Sequence, residues 1–148
     1  QMNKSLLKIF TRDLKKLQEE IISYENESDL WLTSGTITNS GGTLCLHLIG
    51  NLNHFIGSVL GKNGFIRQRE LEFTQRDVPK QDLLDSIEAI FPMVSTVLLS
   101  LSDDDMEVDF PILMQDKNIS TELMLLHLLG HFEYHLGQIN YHRRFFSK

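Results

Sequence analysis

Apolar residues recur at steps of three and four near the start of the chain: Leu6, Phe10, Leu14, Leu17, Ile21 and Tyr24, with Lys, Glu and Asp between them. That is the period of a helix with one apolar face, and it predicts a first helix over residues 5–32. The stretch TSGTITNSGG breaks the pattern with turn-forming residues. Asn39 or Ser40 is placed to cap a second helix over residues 43–60, which stops at Gly61. An irregular connection of about eighteen residues follows, KNGFIRQRELEFTQRDVP. Pro79 suits the first turn of a third helix, with Asp77 as its acidic cap. Leu83, Leu84, Ile87, Ile90, Val94, Val97 and Leu98 carry that helix to residue 101, and Pro92 inside it predicts a kink or a local defect. The acidic segment SDDDMEVDFPILMQDKN is broken by Pro111; within it, VDFPILM reads as a short strand or as a piece lying over a core edge. Ser120 opens a last helix over residues 120–145.

With no repeat and no second apolar unit, the expectation is one domain over residues 1–148, an all-α four-helix bundle. The long connection between the second and third helices can return the chain and leave them parallel.

Composition trims the options. A hydrophobic share of 41% is ordinary for a globular protein. No apolar run is expected to reach the length of a membrane span, and the opening residues lack the apolar core of a signal peptide. A cytoplasmic home with no membrane partner is the expectation. A net charge of −6 argues against a nucleic-acid partner, the one basic knot being the short His142-Arg143-Arg144. The single cysteine, Cys45, excludes an internal disulfide and a thiolate cluster. Lying two residues before His47, it points about 160° round the helix and reads as a buried structural thiol.

The six histidines change the picture. His131 and His135 are spaced to share one helix face, and His127 extends the stripe. His47 and His54 lie within about 20° of each other on the second helix. If the second and last helices are antiparallel neighbours, one register levels His47 with the pair His131 and His135, and His54 with His127. The two layers are then about 10 Å apart. Three neutral imidazoles from two helices suit Zn²⁺ or a similar ion, with a position left open. The same spacing also serves a hydrogen-bonded core or a solvated stripe, and spacing alone leaves these open. His54 and His127 read as hydrogen-bonding each other, a water or Asn51. Asn51, one turn after His47, faces the same site and suits a substrate or a ligand's second nitrogen. Glu133 projects away from both flanking histidines and is no evident base. His142 reads as surface, and Trp31, Phe145 and Phe146 as core packing.

LLHLLGHFEYHLGQI resembles the last-helix signature of the DinB-like metalloprotein superfamily, in which an H-x-x-x-H pair precedes Gly-Gln. Here these are His131, His135, Gly137 and Gln138, with Leu136 where that family usually has Arg. NSGGTLCLHLIGNLNHFIGSVL, followed by FIRQRELEF and RDV, resembles one uncharacterised subfamily of the same group. The resemblance covers most of the chain. It implies a four-helix bundle of up-down-down-up order with a long crossover between helices two and three. It also implies a divalent metal, Zn or Ni, on His47, His131 and His135, and a homodimer. Characterised members are similar to metal-dependent transferases that use a low-molecular-weight thiol, such as bacillithiol S-transferases, acting on a small-molecule substrate. Arg67 and Arg69 then suit the carboxylate of an acidic thiol; ion pairs with Glu70 or Glu72 on a solvated loop are the reading the sequence favours for them. A metal-dependent hydrolase, a non-catalytic metal-binding bundle and a dimeric interaction protein are the rivals.

Overall fold

A computed structural model describes residues 1–147, and among these the regular structure is helical, with isolated bridges but no strands. Helix α1 spans Met2–Ile22, α2 Gly41–Leu52, α3 Arg69–Thr74, α4 Lys80–Ser100, α5 Asp103–Glu107 and α6 Thr121–Phe146. Helix α2 runs on without a break as a π-helical segment, Asn53–Leu60. The all-α expectation therefore holds, with four long helical rods and two short helices that the hydrophobic pattern did not announce.

The ends of the helices show which local forces won. Ser40, rather than Asn39, caps α2 by accepting from the Thr43 amide at 3.1 Å, and Ser120 caps α6 by accepting from Leu123 at 3.0 Å. The first helix stops at Ile22, well short of residue 32. Asn26 accepts from the Ser28 amide and opens a separate 3₁₀ turn, Glu27–Trp31. Asp77 makes no cap for α4; it sits at φ 58°, and Asp82 is the acidic residue of that first turn. Helix α4 stays helical through Pro92, which lies on its exposed side. VDFPILM forms no strand and lies over the core edge: Phe110 is buried, and Asp109 makes one isolated bridge to Ser120.

Helix α1 packs against α4 and α6, and α2 packs against α3, α4 and α6. The buried apolar side chains form one contiguous cluster, from Leu6 and Phe10 on α1 to Phe132 and Ile139 on α6. Two helical runs, Gly41–Leu60 and Lys80–Ser100, are long and apolar enough to cross a membrane by length and composition, contrary to the expectation that none would be. Leu44, Leu48, Leu52 and Ile56 from the first, with Leu83, Ile87, Ile90 and Val94 from the second, line this shared interior. Helix α2 is packed, and therefore apolar, on several sides, whereas α4 buries a single face.

Candidate metal centre

His47 enters the centre from the middle of α2, and His131 and His135 from successive turns of α6. Their rings form a triangle, with centroids 5.0 Å apart for His47 and His131, 5.3 Å for His47 and His135, and 4.6 Å for the α6 pair. One ligand nitrogen from each can be chosen so that all lie within 4.8 Å of one another. The Nε2 atoms of His47 and His131 are 3.1 Å apart. Tetrahedral bonds of about 2.0–2.1 Å place neighbouring donors about 3.4 Å apart. The three histidines could thus hold a metal ion.

The outer nitrogens are partly engaged. His135 Nδ1 is 2.7 Å from Gln138 Oε1, and His47 Nδ1 is 3.0 Å from Glu72 Oε1. His131 Nδ1 is buried with no partner. Burial holds His131 well below the usual histidine range, at about 4, reinforced by positive charge on His135 and His47. Burial also lowers His47, and the hydrogen bond to Glu72 only partly offsets it. Burial thus favours neutral rings at His47 and His131, the charge state a metal requires of its histidine ligands.

Glu72 is what the sequence did not disclose. It lies on α3, inside the connection read as irregular, and its carboxylate takes two hydrogen bonds from Arg67, from Nε at 2.8 Å and from Nη2 at 2.9 Å. The ion pair foreseen for Arg67 is present, but it is not on a solvated loop: the side chains of Arg67 and Glu72 are 11% and 8% exposed. Arg69 is exposed and lies over the Phe73 ring, 5.1 Å from its centroid, while Phe73 packs on His47 at 4.9 Å. The usable signal was Gly50, a glycine inside an apolar helix one turn from His47. A Cβ there would collide with the Glu72 carboxylate.

The second histidine layer does not assemble as expected. His127 is exposed, His54 packs edge-on against Phe55 at 4.7 Å, and no hydrogen bond joins the two among the described residues. The switch to π-helix begins at Asn53, one residue before His54, so the α register that aligned His54 with His47 ends there. Asn51 is buried with its Oδ1 unpartnered. Glu133 faces away, bound to Arg12 at 2.9 Å. Cys45 is fully buried, its thiol pushed up to about 12 by desolvation, which suits a structural role. His142 is not a surface residue: it is buried, 2.6 Å from the Tyr24 hydroxyl, and its Nε2 donates to the Leu32 carbonyl at 2.8 Å.

A family model described as "Protein of unknown function (DUF1572)" matches residues 3–148. The chain belongs to the DUF1572 family. That description assigns no activity to the family and makes no link to the DinB-like superfamily, so the kinship suggested by the α6 signature rests on the residues themselves. No curated protein and no solved structure matches the chain.

Proposed function

We propose that this DUF1572 chain is a divalent-metal protein of the DinB-like kind, holding Zn or Ni on His47, His131 and His135 and transferring a low-molecular-weight thiol to a small electrophile. The observation that carries the reading is the convergence of three ligand nitrogens within 4.8 Å, drawn from helices separated by most of the chain. A divalent ion there supplies an open position and a positive charge that favours thiolate over a thiol of free pKa about 8.5. Transfer would form a bond from that sulfur to the electrophilic carbon as the leaving group departs with its electron pair, the thiol proton passing to solvent. Glu72 has its carboxylate engaged by Arg67 and His47, so it is not free to serve as a base for water. Asn51 Oδ1, buried and unpartnered one turn from His47, offers an acceptor to a substrate N–H or O–H. Arg69 is the arginine left to meet a carboxylate, since Arg67 is committed to Glu72.

The up-down-down-up bundle belongs to the same reading. It is supported by Asn3 donating to the Leu98 carbonyl and Lys80 to that of Ile22, which set α1 antiparallel to α4. Arg12 with Glu133 and Tyr24 with His142 set α1 parallel to α6. A homodimer finds support in Leu123, Leu126, Tyr134 and Tyr141, which form an exposed apolar stripe along α6.

The test is metal content after loading with zinc or nickel, wild type against His131→Ala, followed by conjugation of a thiol to monochlorobimane. Stoichiometric metal in wild type, little in the variant and metal-dependent conjugation are expected. Equally little metal in both proteins overturns the reading. Metal without conjugation leaves a binding protein in place of a transferase.

A further inference from the structure

We infer that Glu72 is the positioning residue of the metal centre: pinned by Arg67 and seated on Gly50, it keeps the proton of His47 on Nδ1 and so aims the Nε2 lone pair at His131 and His135. The inference rests on the metal-binding reading above. A neutral imidazole carries one N–H, and which nitrogen bears it is set by its neighbours. Glu72 Oε1 lies 3.0 Å from His47 Nδ1. A carboxylate doubly bonded by a guanidinium is ionised and offers no proton, so the hydrogen in this contact belongs to His47. Arg67 Nη2 also lies 3.4 Å from Nδ1 and would be the donor to the other tautomer, but it already donates to Glu72 Oε1 at the shorter 2.9 Å. The other tautomer would set two lone pairs face to face where the His47 and Glu72 side chains are each 8% exposed.

Three further observations turn this contact into a device. Glu72 fits only because residue 50 lacks a Cβ; any other residue there would displace the carboxylate. Phe73 packs on the His47 ring, restricting its rotation. And a buried ion pair contributes little net stability relative to apolar residues of the same size. Orienting a ligand is a task that apolar residues cannot perform. The connection between α2 and α4 is thereby part of the metal centre, although it contributes none of the three proposed ligands.

The test compares the full-length wild type with three variants by circular dichroism, by long-range ¹H–¹⁵N NMR of the metal-free His47 ring, and by Zn²⁺ competition against a chromogenic chelator. Arg67→Met combined with Glu72→Leu replaces the pair by apolar side chains; wild-type helicity, loss of the Nδ1–H tautomer and about 10–100-fold weaker zinc binding are expected. Glu72→Gln, whose carbonyl can still accept, should restore most of both readouts. Gly50→Ala should reproduce the loss even though alanine favours the helix. An unchanged His47 tautomer in the apolar double variant, or in Gly50→Ala should the double variant not fold, overturns the inference whether or not zinc binds. A changed tautomer in a protein that binds no zinc upholds the positioning and overturns the metal reading, so the two fail separately.

Discussion

Two places on the α2–α6 interface bury histidine, and they treat it in opposite ways. At the end where α6 finishes, His142 is satisfied by the protein: its Nε2 donates to Leu32 and its Nδ1 accepts from the Tyr24 hydroxyl. A Cβ at Gly41 would meet the Tyr24 hydroxyl and His142 Nδ1, so the arrangement is closed on that side as well. Three turns earlier, His131 has one nitrogen buried without a partner and the other facing a second imidazole nitrogen. The first histidine is a hydrogen-bonded core residue. The second lies among three histidines whose nitrogens could hold a metal ion. Burial alone does not separate the two places; the convergence of His47 and His135 on His131 does.

Removing side chains should break the comparison in opposite directions. The largest expected loss of stability comes from His142→Ala, which strands the Leu32 carbonyl, leaves the Tyr24 hydroxyl only its 3.3 Å bond to the Ile139 carbonyl and opens a void; about 2–4 kcal/mol is expected from urea unfolding, with zinc affinity unchanged. Tyr24→Phe, which leaves only the Nδ1 acceptor unmet, should cost about 1–3 kcal/mol. If either variant lowers zinc affinity as strongly as loss of a ligand does, the two places are not distinct.

A smaller and graded effect is expected from pH. His47, His54, His131 and His142 are all held below the ordinary histidine range by burial. In the unfolded chain they take up protons near pH 6.5, while the folded metal-free protein resists until lower pH. Between those points the unfolded state binds more protons, so stability falls as pH drops below about 6.5. The share from His131 is lost progressively down to about pH 4. Unfolding of the metal-free protein followed from pH 8 to 4 checks the slope; a stability that rises on acidification contradicts these shifts. With zinc bound the decline should be steeper, because protons compete for the same nitrogens.

What was legible in the sequence follows from range. The spacing of His131 and His135, the caps at Ser40 and Ser120 and the apolar faces of the long helices are local, and the local pattern placed them. Levelling His47 with the α6 pair needed only an antiparallel assumption. The misses are non-local. His142 owes its burial to Tyr24 and Leu32, more than a hundred residues away, and Glu72 reaches His47 from a segment with too little periodicity to announce a helix. The early end of α1 and the π-helical continuation of α2 are features of the backbone that hydrophobic patterning does not encode.

The most direct measurement is X-ray absorption at the metal edge of the zinc-loaded protein. The account predicts imidazole scattering from three nitrogens at about 2.0–2.1 Å with one further light ligand, and one imidazole fewer in His131→Ala. A zinc shell without imidazole, or one unchanged by that substitution, would contradict it.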